Sequence, residues 1–145
     1  MSLYRWLLLL HLAGLSTFLL AHGVTAGAAL GLRGRPSLGE SRLLLRLSLR
    51  GAAVSYAGLL LLIVTGVWMG FLGSWWGRAW IWAAIGVFVG VFVAMGLISN
   101  AYRGARSATD ERLGEAVART RPLTATWVGT FGLAALLLLM VLKPF

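Results

Sequence analysis

Two histidines, His11 and His22, lie inside the first of several long apolar runs. Ionisable side chains are rare at such positions, and where they occur they mark functional sites. Imidazole at membrane depth can ligate haem iron or a transition metal, pass a proton, or bond a neighbouring helix. Eleven residues separate the pair. On a helix that interval turns the chain by ~20° beyond three full turns and advances it by ~16 Å. The two rings therefore share a face at different depths. One iron cannot take both, because bis-histidine ligation needs the imidazoles on opposite sides of one ring. A haem held here takes one histidine with another ligand, an open position, or a histidine from a second subunit.

Soft donors are available at matching depths. Met69 and Met140 fall near the ends of their spans on the side of His11, and Met95 falls nearer His22. His/Met sets suit haem b or Cu(I). Methionine is also a common filler of irregular cores. The candidate cofactor ligands are His11, His22, Met69 and Met140, with His11 the candidate metal ligand. The immediate neighbours of His11 (Leu9, Leu10 and Leu12) are apolar, so its ring must find a partner elsewhere. His22 has polar residues at its own depth. Thr25, Ser55, Tyr56, Ser99 and Asn100 could join it in an interhelical hydrogen-bond network that needs no cofactor.

Several chemistries are excluded by composition. The chain has no cysteine, which removes disulfides, iron–sulfur clusters and covalent haem attachment. The apolar runs contain no Asp, Glu or Pro. Proton-coupled transport normally uses an intramembrane carboxylate, and many transporters use broken helices. Hydrolysis by a triad or paired carboxylates lacks its residues as well. The expectation is a protein without catalytic residues.

The elements that would carry these side chains are four runs of about 20 or more apolar residues, each long enough to cross ~30 Å of hydrocarbon. They cover roughly residues 3–32, 51–72, 79–101 and 123–142. With 145 residues, 59% of them hydrophobic, this predicts a single all-α membrane domain. Its expected form is an antiparallel bundle of four transmembrane helices with short amphipathic helices on the cytoplasmic side. The N-terminal run resembles a signal peptide but exceeds the usual apolar length, and is read as a retained span.

Orientation follows from arginine. Arg33, Arg35, Arg42, Arg46 and Arg50 lie between the first two runs, and Arg103, Arg106, Arg112, Arg119 and Arg121 between the last two. The middle connection carries only Arg78. The positive-inside rule then places both Arg-rich connections in the cytoplasm and both termini outside a bacterial inner membrane. The net charge of +9 is read as attraction to anionic lipid, and nucleic acid is not an expected partner. Trp68, Trp75, Trp76, Trp80 and Trp82 form an aromatic belt at the opposite face.

Ser37 and Glu40 form a capping-box pattern, and Arg42, Arg46 and Arg50 then recur every four residues among leucines. This predicts a basic amphipathic helix on the inner surface leading into the second span. Glycines at spacing four (Gly23, Gly27 and Gly31; Gly66 and Gly70; Gly86 and Gly90) predict close packing, within the bundle or against another subunit.

His11-Leu-Ala-Gly14, His22-Gly23-Val24 and the Gly66–Trp82 segment, with its glycines and tryptophans, resemble a family of predicted four-span bacterial integral membrane proteins. The resemblance covers most of the chain and carries no mechanism. More distantly, a histidine on the first of four spans resembles the membrane domain of copper-resistance D proteins and the small haem-containing protoporphyrinogen oxidases. The latter resemblance implies His11 as a haem ligand. Two readings follow. One is an inner-membrane protein binding haem b, copper or another metal through a span-one histidine, in redox or metal handling. The other is a cofactor-free accessory subunit of a larger membrane complex. A homo-oligomer fits either.

Overall fold

A computed structural model describes residues 2–34 and 36–143. Five α-helices account for nearly all of it: α1 (Leu3–Gly31), α2 (Leu38–Leu72), α3 (Ala79–Ser107), α4 (Asp110–Ala118) and α5 (Pro122–Leu142). Short 3-10 turns follow α1 and precede α3. Four of the helices are long and apolar enough to cross a membrane, so the chain is an all-α, multi-pass membrane protein.

Local signals set the boundaries. Ser37 and Glu40 make the reciprocal capping box at the start of α2: the Ser37 amide donates to the Glu40 carboxylate at 2.8 Å, and the Ser37 hydroxyl accepts from the Glu40 amide. Pro122 opens α5, where its missing N–H costs nothing. Asp110 and Glu111 sit in the first turn of α4, where the helix dipole favours them.

Lengths hold the main departure from the expected architecture. α2 runs unbroken for 35 residues, ~52 Å, against ~30 Å of hydrocarbon. The basic segment bearing Arg42, Arg46 and Arg50 is therefore collinear with the second span and does not lie flat beside it. No proline or cap signal interrupts residues 48–55. Gly51 is also buried against Ala21, Val24 and Thr25 of α1, which keeps α2 on its partner through the junction. Among the described residues, α4 is the separate amphipathic helix of the Arg-rich end.

Helix α1 is the hub. It packs along α2 on one side and meets α5 on another, and α3 packs chiefly on α5. The α1–α2 contact is close enough to be glycine-dependent. A β-carbon on Gly58 would stand 2.8 Å from the Phe18 amide nitrogen, and one on Gly14 would stand 3.0 Å from the Gly58 carbonyl oxygen. The working glycines are thus Gly14, Gly51 and Gly58, with Gly129 and Gly132 on α5. Of the predicted stripes, Gly23, Gly27, Gly86 and Gly90 face open space. Gly31, Gly66 and Gly70 meet the side chains of Leu44, His11 and Trp76.

At the Arg-rich end the termini of α1, α2 and α3 gather with α4 around Ala29, Leu32, Leu45, Tyr102, Ala105 and Leu113. Arg42 fastens this end. It donates to the Ala108 carbonyl at 2.6 Å and the Arg106 carbonyl at 3.2 Å, and pairs with Asp110 at 2.8 Å. One guanidinium thereby satisfies carbonyls at the C-terminus of α3 and holds the first turn of α4.

Candidate functional site

The His11 ring lies between α1 and α2. Its Nδ1 is 2.9 Å from the Thr65 hydroxyl. That hydroxyl is committed elsewhere, donating to the Leu61 carbonyl at 2.6 Å. With its one proton on that carbonyl, the hydroxyl accepts from a ring N–H, and the ring lone pair then sits on Nε2; with the proton turned to Nδ1 the roles reverse. The ring edge passes over Gly66, where a β-carbon would stand 3.2 Å from Cε1. Thr65 orients the ring, and Gly66 leaves the space.

Thr65 is the partner of His11 that sequence reasoning missed. It is 2% exposed, a buried hydroxyl in an otherwise apolar span. The signal was present: an interior Thr in a transmembrane helix bonds a carbonyl one turn back or a side chain across the interface.

The soft donors lie toward the same end of the bundle as His11. Met69 is buried, one turn beyond Thr65 on the same side of α2. Met140 relates to His11 through a shared interval. Gly129 of α5 meets His22 of α1. Eleven residues lead from His22 to His11 and eleven from Gly129 to Met140. In an antiparallel pair this carries Met140 to about the depth of His11 on the α1-facing side. Its side chain is 41% exposed.

His22 has a different environment. Its ring is stacked on Phe18, with centroids 6.0 Å apart and planes 11° from parallel. It is pressed into the notch left by Gly129, and its Nε2 is buried without a hydrogen-bond partner. The polar residues at its depth do not reach it. Thr25 donates to the backbone carbonyl of His22 at 2.8 Å, and Ser99 donates to the Gly96 carbonyl. The Asn100 side-chain oxygen accepts from Arg103. Ser55 and Tyr56 make no bond to the ring among the described residues, and Tyr56 lies outward against Phe92. Thr25 and Ser99 each have a carbonyl one turn back within their own helix, and that local partner wins over a distant ring. The five residues therefore do not assemble into one network around His22.

Among the described residues no three His, Cys, Asp or Glu side chains gather at one point. Two surface cavities, of about 400 and 420 Å³, lie at the Arg-rich end, away from both histidines. No family profile, characterised protein or solved structure matches the chain.

Proposed function

We propose that this is a small bacterial inner-membrane protein that holds haem b, or alternatively copper, through His11, and serves redox or metal handling. The observation that carries the reading is the 2.9 Å contact between His11 Nδ1 and the Thr65 hydroxyl; with the Thr65 proton on the Leu61 carbonyl, it leaves the Nε2 lone pair free. Metal-ligating histidines nearly always donate their other ring N–H to such an oxygen, which orients the ring and raises its basicity. The donor set discriminates between cofactors. A closed metal cage needs three or four ligands from the chain, whereas haem needs one or two axial ones. His11, with Met69 or Met140 toward the same end of the bundle, fits the smaller demand. His22 fits less well, since its ring is already seated in the Gly129 notch.

The bound group would supply a one-electron couple. The protein's part would be to orient His11 through Thr65, keep water from the site with the surrounding leucines, and offer Met69 or Met140 as a further ligand. Arginine asymmetry supports termini on the outer side and Arg-rich connections inside.

A second reading, a cofactor-free subunit of a larger assembly or a homo-oligomer, is favoured by one observation. The chain exposes 9101 Å², against about 7,300 Å² for a compact soluble monomer of this mass. Gly23, Gly27, Gly86 and Gly90 lie on open faces where another helix could approach.

The experiment that separates the readings purifies the protein in mild detergent from haem- and copper-replete cells. The Soret band and bound metal are then measured for the parent, His11→Leu and His22→Gln. The haem or metal reading expects a loaded parent, an empty His11→Leu and a loaded His22→Gln. An empty His22→Gln beside a loaded His11→Leu reverses the assignment. A parent with no haem or metal replaces it with the accessory-subunit reading.

A further inference from the structure

The end of the bundle opposite the Arg-rich connections, which carries only Arg5 and Arg78, holds the Lys143 cation on aromatic faces. Trp75 and Trp80 lie with centroids 5.7 Å apart and planes inclined by 55°, which makes a concave corner. Tyr4 packs edge-on against Trp75 at 6.3 Å and 87° and supports that indole. The Lys143 ammonium sits over both indoles, 4.9 Å from the Trp75 centroid and 5.5 Å from that of Trp80. Among the described residues no Asp or Glu shares the site: Glu40, Asp110, Glu111 and Glu115 all belong to the Arg-rich end. Among those residues it is the two indole faces that hold the cation.

That arrangement selects by chemistry. Indole quadrupoles attract cations, and the attraction survives best for organic ammonium groups, which shed water at little cost, whereas Na⁺ does not. The occupant is also displaceable. Trp80 is 5% exposed, but Lys143 is exposed. It follows the last turn of α5 in a left-handed conformation (φ 44°) that a β-carbon disfavours. Tryptophan-rich ends of membrane helices lie at head-group level, where lipid ammonium groups are concentrated.

We propose that Trp75 and Trp80, supported by Tyr4, form a binding site for an organic ammonium group, a lipid ethanolamine or choline head group or a free alkylammonium ion, with Lys143 as its built-in, displaceable occupant. The site is independent of any cofactor at His11.

The chain supplies its own probe, because Lys143 is its only lysine. Full-length protein labelled with ¹³C at lysine Cε gives one side-chain methylene signal. In maltoside micelles that signal is expected upfield of free lysine, shifted by the indole ring currents. Tetramethylammonium chloride should return it to the free position, whereas sodium chloride at equal ionic strength should not. Nanodiscs of phosphatidylethanolamine or phosphatidylcholine should do the same, and discs of phosphatidylglycerol should leave it shifted. Displacement by the soluble ion alone identifies a site for free alkylammonium, and displacement in the ammonium-bearing discs identifies a head-group site. A signal at the free position from the outset overturns the proposal. So does a shifted signal that nothing moves, or one that phosphatidylglycerol moves equally. Lys143→Met provides a second measurement at an exposed position that does not threaten folding. Followed by tryptophan fluorescence, it should bind tetramethylammonium roughly fivefold more tightly than the parent, the cost of displacing one cation–π contact. Unchanged affinity refutes the built-in occupant.

Discussion

Thr65→Val removes one hydroxyl at nearly constant volume and leaves the α1–α2 backbone contact intact. Two groups lose a partner, with unequal consequences. The Leu61 carbonyl is still bonded within the helix, so losing the Thr65 donor costs it little. The His11 Nδ1–H is left in an apolar interface with one weaker recourse, the backbone near Leu62. Data from soluble proteins put an orphaned buried donor at about 1–3 kcal/mol. Interhelical bonds in membranes average about 0.6 kcal/mol and reach about 1.7, because a helix separated in the bilayer finds other partners. The membrane figure governs here, so a stability loss of about 1 kcal/mol is expected, and not 3. The effect on ligation should be larger than the effect on stability. With the ring no longer oriented by Thr65, a group held through Nε2 should lose about 10- to 100-fold in affinity, while Thr65→Ser should restore most of it. Thermal unfolding in detergent by tryptophan fluorescence reads the first quantity, and cofactor retention through purification reads the second. A Thr65→Val protein with parental stability and parental cofactor content would refute the role assigned to the His11–Thr65 pair. A loss of stability alone, with no change in cofactor content, would leave Thr65 a packing residue.

Further substitutions test the packing and the topology. Gly58→Leu should abolish the close α1–α2 contact and lower yield or thermal stability sharply, whereas Gly27→Leu should leave a monomer's stability within about 0.5 kcal/mol of the parent; equal effects would contradict the assignment of packing glycines. Arg42→Ala frees two helix-terminal carbonyls and Asp110 together, so protease cleavage in the 103–121 segment should quicken; an unchanged cleavage rate argues against the fastening role. In the cysteine-free parent, single cysteines at Ser2, Ser37, Ser74 and Ser107 should react with an impermeant thiol reagent on intact cells at 2 and 74 only. Labelling confined to 37 and 107 would invert the membrane orientation.

The four spans, the capping box and the helix opened by Pro122 were legible because each rests on local information: a run length, a three-residue spacing, a missing N–H. The glycine contacts were not, although glycine is abundant and partly periodic. Spacing of four records which residues share a helix face. It does not record which face another helix occupies, and that depends on the register of the antiparallel partner. Gly14 and Gly58 pair across α1 and α2 although neither belongs to a stripe, while Gly23 and Gly27 form a stripe that faces open space.

The histidines show the same limit in chemical form. Sequence placed both on one face ~16 Å apart, but it weighed each ring by its neighbours along α1 or by residues at equal depth. By that measure His11 lacked a partner and His22 had many. The contacts run the other way: His11 is bonded across the interface, and it is the His22 Nε2 that has no partner. For a membrane helix the hydroxyls that share a ring's depth mostly spend their protons on their own backbone. A ring is satisfied by the one residue that the interhelical register sets against it. Here the close approach made by Gly14 and Gly58 brings α2 near enough for Thr65 to reach His11. The glycines that pack the hairpin are thus also what sets a hydroxyl against the candidate ligand.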